Sequence, residues 1–152
     1  MNLTQAVMIN DVPAISELLT RGASLDERDR DGRTPLMQAA INARIDIMGL
    51  LLGSGAKPDI QDKRGWSALH FAAQGQLAEG IELLVSHGAT VDIVDSHGNT
   101  PLGRAVFNYR GDGDAVNMLL RLGADRHREN NHGVSASSLA HTIANYDVRK
   151  FF

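Results

Sequence analysis

Gly-Ala pairs stand at Gly22-Ala23, Gly55-Ala56, Gly88-Ala89 and Gly123-Ala124, at intervals of 33, 33 and 35 residues. A second series, Gly32, Gly65, Gly98 and Gly133, keeps the same intervals. After each of its first three members comes a hydroxyl residue and then proline or a small residue: Thr34-Pro35-Leu36, Ser67-Ala68-Leu69, Thr100-Pro101-Leu102. That is a helix start. The hydroxyl accepts a backbone N–H that has no partner in the first turn, and proline there lacks the donor that would go unused. Apolar rows share the register: Ile15, Met48, Ile81 and Val116; Leu18, Leu51, Leu84 and Leu119; Leu19, Leu52, Val85 and Leu120. A unit of about 33 residues offers an apolar face that it cannot cover alone, so the period predicts a stacked array.

Composition removes several other classes. With 15 Lys+Arg against 18 Asp+Glu, the net charge of −3 gives no global attraction to nucleic acid or an anionic membrane. There are no cysteines, which excludes disulfides and thiolate metal sites and suits a reducing cytoplasm. The first residues, M-N-L-T-Q-A-V-M-I-N-D, have no basic region and do not read as a secretory signal. No apolar run approaches the roughly 20 residues that span a bilayer.

The segments D-R-D-G-R-T-P-L-M-Q-A-A, D-K-R-G-W-S-A-L-H-F-A-A and D-S-H-G-N-T-P-L-G-R-A-V, each followed by a Gly-Ala stop, resemble the ankyrin repeat. The resemblance covers nearly the whole chain. It implies an all-α solenoid of about five stacked helix-turn-helix units, with short β-hairpin fingers projecting to one side. The expected units are an N-terminal cap (1–29), three internal units (30–62, 63–95, 96–130) and a C-terminal cap (131–152), forming one domain.

In the first unit, Leu3, Ala6 and Val7 take the places of Leu36, Ala39 and Ala40, and Asp11 with Pro13 starts the second helix. The fourth unit is lengthened by two residues within F-N-Y-R-G-D-G-D, so a longer turn is expected there. In the last, Ser137 and His141 suit an outward-facing helix, and Val148, Phe151 and Phe152 supply the inner stripe if the preceding turn is one residue shorter.

Catalytic and metal readings find little support. Ser67 and His70 are explained by the repeat, as a helix cap and as the histidine of the family's T-P-L-H. The resemblance implies that this histidine bonds locally and links neighbouring fingers. A nucleophile and base would also need an orienting acid and an oxyanion site. Asp112 and Asp114 lack the further ligands of a calcium loop. His97 and His132 sit on fingers expected about 10 Å apart, too far to share one zinc without a bridging third group. No enzyme, cofactor or metal is expected.

A stack of this kind builds a concave surface from fingers and first helices. The positions that the pattern leaves free are the candidate partner-binding residues: Arg30, Asp31, Arg33, Ile41, Lys63, Arg64, Trp66, His97, Asn99, Phe107, Tyr109 and His132. Trp66 reads as an interface anchor, with packing against a neighbouring finger as the alternative. Phe107 and Tyr109 are either groove residues or the small core of the longer turn. The run D-E-R-D-R-D-G-R at 26–33 carries both signs and reads first as solvated surface.

The expected function is a cytoplasmic protein-binding module, monomeric on its own, without nucleic acid or membrane partners. A scaffold or regulatory subunit of a stable complex is the alternative. The chain also resembles small bacterial ankyrin proteins, some of which neutralise toxins as immunity proteins; its tail S-L-A-H-T-I-A-N-Y-D-V-R-K-F-F shares that resemblance.

The register itself is testable at Leu84, in the middle row. Burying such a side chain is worth roughly 1.5–3 kcal/mol, and Leu84→Ala is expected to cost ~2–5 kcal/mol with the cavity that it leaves. A urea melt showing a loss below ~1 kcal/mol would break the register.

Overall fold

A computed structural model describes residues 1–143 and 147–152. Helix pairs follow one another along the chain. The first is α1 (Leu3–Met8) and α2 (Val12–Thr20); the second is α3 (Pro35–Ile41) and α4 (Ile45–Gly53). Next come α5 (Ala68–Gln74) with α6 (Ala78–Ser86), then α7 (Pro101–Phe107) with α8 (Asp114–Arg121). Finally α9 (Ala136–Thr142) packs against a 3₁₀ turn at Val148–Phe151. The first helices form one layer in which α1, α3, α5, α7 and α9 touch in order, and α4, α6 and α8 touch in order behind it.

Local chemistry starts the helices where the sequence places them. The side chains of Asp11, Thr34, Ser67, Thr100 and Ser135 each accept the N–H three residues on. Helices α4 and α6 have no side-chain cap, so stacking carries them. Ile15, Met48, Ile81 and Val116 are all 0% exposed, as are Leu51, Leu84 and Leu119. Leu18 is half-buried, because no described helix covers that end. In the third row Leu52 is buried, while Leu19, Val85 and Leu120 are partly so.

The fingers differ from the expected β-hairpins. Among the described residues there is no strand. Each finger is a single tight turn, closed by the amides of Asp29, Asp62, Asp95 and Asn130 bonding to the carbonyls of Arg33, Trp66, Asn99 and Val134. One backbone bond then joins each finger to the next: Lys63 N–H to Asp31 O, Ser96 N–H to Arg64 O, Asn131 N–H to His97 O, at 2.9–3.0 Å. A single rung per step cannot make a ladder. The turn glycines serve this approach as well as the turn. At Gly65 φ is +76°, and a β-carbon would lie 2.7 Å from the Ser96 nitrogen of the next finger.

The lengthened turn and the chain's final residues form one contact. Val148 is fully buried, and Phe151 and Phe152 pack against the core, as the apolar stripe predicts, although on a 3₁₀ turn. The expected shortening of the preceding turn falls on residues 144–146, outside the described residues. Tyr109 is 2% exposed and meets Phe151 edge-on, with ring centroids 6.0 Å apart. The ring of Phe151 lies directly over Gly113, where any β-carbon would overlap it.

Gly113→Ala is therefore expected to lower stability by ~1–3 kcal/mol, the usual range for overpacking. In a Phe151→Ala background the same change should cost far less. Equal losses in both backgrounds, measured by urea unfolding, would refute the contact.

Candidate functional site

The fingers are built on acidic residues that the candidate set passed over. Asp29 Oδ1 accepts the Asp31 and Arg33 amides, Asp62 Oδ1 those of Arg64 and Trp66, and Asp95 Oδ1 those of His97 and Asn99, all at 2.9 Å. Asn130 does the same for His132 and Val134. A further row, Asp26, Asp59 and Asp92, accepts the amides of Lys57, Thr90 and Asp125 in the following unit. Both rows repeat at 33 in the sequence, the one signal that could have found them. Much of the acidic charge is thus committed to backbone donors.

The second oxygen of each finger carboxylate faces the first helices. Gln38 Nε2 donates to Asp29 Oδ2 at 3.0 Å. One period later Phe71 replaces that glutamine, and Asp62 Oδ2 has only Arg33 Nε at 3.8 Å and Arg64 Nε at 3.9 Å. One period further, Arg104 Nη2 lies 3.4 Å from Asp95 Oδ2. These ion contacts are longer than the ~2.7–2.9 Å of a well-made charge-assisted bond. The Nε atoms of Arg33 and Arg104 are buried without a hydrogen-bond partner.

Trp66 is only 5% exposed, which corrects its reading as a projecting anchor. Its ring packs 4.9 Å from Phe71 and 5.8 Å from His70, centroid to centroid. The guanidinium carbons of Arg64 and Arg104 both lie 4.7 Å from it, and Arg33 lies 5.5 Å from the Phe71 ring. With large apolar area available and a neighbouring finger within reach, the indole is drawn into the stack and becomes a platform for arginines. Arg104 was not foreseen. Its signal was a cation in the middle of an inner helix whose other inward positions are apolar or small.

The remaining candidates separate into four groups. Arg33, Ile41 and Arg64 line a cavity of about 350 Å³ between α3 and α5, together with Phe71 and Gln74. Asn99 and Phe107 line another of about 220 Å³ between α7 and α9, with Arg104, Arg128, Val134 and Leu139. Arg30, Asp31, Lys63, His97 and His132 are exposed at the finger tips. Tyr109 is withdrawn into the core of the long turn, whereas Phe107 stays 60% exposed. The rings of His97 and His132 stack 6.4 Å apart, closer than the helix spacing suggests, because the Asn131–His97 bond draws the finger tips together. Among the described residues no three His, Asp, Glu or Cys side chains cluster as metal ligands.

His70 links two units as the resemblance implies. Its Nε2 lies 2.9 Å from the Asn99 carbonyl, which can only accept, so the proton sits there. Nδ1 then accepts the Ser67 amide at 3.2 Å. Protonating Nδ1 would break that bond in a fully buried place, and burial holds the His70 pKa below its ordinary 6.5. For Asp95, burial works upward, but the Asn99 and His97 amides, with His70 and Arg104, outweigh it and hold the carboxyl below its ordinary 3.8.

The family model for ankyrin repeats (3 copies) matches residues 2–62 and 45–130. The chain is an ankyrin-repeat protein. No curated protein matches it. Ankyrin repeats are generally protein–protein interaction modules, typically without enzymatic activity. Among the described residues, no helix of this ankyrin-repeat protein is long and apolar enough to cross a membrane.

The linkage of His70 has a definite sign. Between its lowered folded value and 6.5 the unfolded chain binds more protons, so stability falls as pH falls through that window; Asp95 acts the same way below 3.8. Urea midpoints should drop as pH is lowered from 7 towards 5. In His70→Gln, less stable at pH 7, the drop should shrink; an unchanged pH slope would exclude His70 as its source.

Proposed function

We propose that this chain is a cytoplasmic binding module that holds a partner protein in the groove between its fingers and first helices. It acts by occlusion or scaffolding, with little rearrangement on binding. The observation carrying this is a row of side chains at one register position, Met8, Ile41, Gln74 and Phe107. Three of its four members are apolar, and they are 54%, 41% and 60% exposed. The fold does not need them there, since each lies at the solvent end of a first helix whose inward positions are already filled. The row runs alongside both cavities, with Ile41 and Gln74 on one and Phe107 on the other. The finer reading, an inhibitor that covers the working surface of a bacterial toxin, rests on the likeness of the tail to bacterial family members.

Because Trp66 is buried, changing it would confound binding with folding. The informative variant is Ile41→Ser with Phe107→Ser, set against Leu50→Ser, an exposed change on α4 behind the groove. In co-purification from the native cell, wild type and Leu50→Ser should retain a common partner that the groove variant loses. Equal retention by all three would dismiss the groove. Recovery of a secreted or injected toxin as that partner would carry the immunity reading; recovery of a housekeeping complex would end it.

A further inference from the structure

We infer that the groove receives an extended, acidic segment of the partner, whose carboxylates meet the arginines gathered on the Trp66 and Phe71 rings. The inference rests on the groove being the binding face, and it identifies the chemistry that the groove selects. Arg33 and Arg64 stand at the cavity between α3 and α5; Arg104 and Arg128 stand at the cavity between α7 and α9. The overall charge of −3 conceals this arrangement. The acidic rows of the fingers and loops are occupied by backbone amides, whereas the nearest carboxylate contacts of Arg33, Arg64 and Arg104 are 3.4–3.9 Å long.

Geometry adds to the charge. Arg33 lies over Phe71, and Arg64 and Arg104 over Trp66. Stacking occupies the flat face of a guanidinium; with the Nε atoms of Arg33 and Arg104 buried and one Arg104 Nη on Asp95, the other Nη donors are left for a carboxylate. Apolar side chains stand beside each pair: Ile41 at the first, Phe107, Val134 and Leu139 at the second. The fitting segment therefore alternates acidic and apolar residues. Arg64 and Arg104 both lie 4.7 Å from the one Trp66 ring, so the arginines form a compact cluster that about three residues of extended chain, at ~3.3 Å each, cover.

The repeat itself supplies substitutions that the fold tolerates. Arg104→Gln places in α7 the residue that α3 already carries as Gln38, bonded to its finger carboxylate. Arg33→Asn copies Asn99, which holds the same position two units on, and Arg64 is 56% exposed, so Arg64→Gln disturbs no core. The probe is a phage-displayed library of random dodecapeptides selected on the immobilised full chain. Selected peptides should be net acidic, with Asp or Glu within about three residues of one another and apolar residues beside them. A synthetic, fluorescein-labelled winner should bind the triple variant Arg33→Asn, Arg64→Gln, Arg104→Gln at least tenfold more weakly by anisotropy, and Glu→Gln changes in the peptide should weaken it comparably. Winners without net negative charge, or acidic winners that bind the triple variant equally well, overturn the inference, as does a selection that enriches nothing. Winners lost on Ile41→Ser with Phe107→Ser but indifferent to the arginines would leave the groove standing and remove only its acidic preference. Winners indifferent to both sets would remove the groove as well.

Discussion

No helix pair in this chain can bury its own apolar stripe. Ile81 and Leu84 reach 0% exposure only because α6 lies between α4 and α8 and behind α5. Everything else follows from that dependence. The units must be short, must stack in one direction and must keep strict register, since a shift of even one residue would rotate an apolar row out of the seam. Small residues at Ala39-Ala40, Ala72-Ala73 and Ala105 let the inner layer close up, and it is this layer, rather than any single unit, that carries the groove.

Register also sorts the charges. Carboxylates at fixed positions satisfy the finger and loop amides, a task that any turn of this shape must assign to some acceptor. With those anions occupied, cations at the unconstrained positions are left with distant partners. The platform of Trp66 and Phe71 then stacks them together on one face. A chain that is mildly acidic as a whole presents a cationic, partly apolar groove.

The period, the helix starts and the buried rows were legible in the sequence because each is a local requirement repeated at a fixed interval. Asp11, Thr34, Ser67 and Thr100 cap where their chemistry says they must, and His70 bridges to Asn99 as the family resemblance implies. The groove was legible only in part. Ile41 and Phe107 announced themselves as apolar residues where the pattern asks for none. Trp66 did so too, yet lies buried, because whether such a ring projects or folds inward depends on Phe71 and Arg104, on other helices. Arg104 itself was hidden for the same reason: its place in the groove is set by contacts across units, not by its neighbours in the chain. Tyr109 and Phe107 sit two residues apart in one lengthened turn and take opposite fates, which only the docking of Phe151 decides.

Neighbouring fingers share one backbone hydrogen bond and a few side-chain bonds, such as those of His70 and Asn130 to Asn99, whereas neighbouring helices share a continuous apolar seam. One such bond contributes about 0.5–1.5 kcal/mol, less than the ~2–5 kcal/mol at stake in a single buried leucine of the seam. The stack is accordingly a spring of unequal stiffness, firm along its spine and compliant along its open edge. The fingers can spread or pinch without disturbing the spine, so the width of the groove adjusts while its curvature stays that of the array.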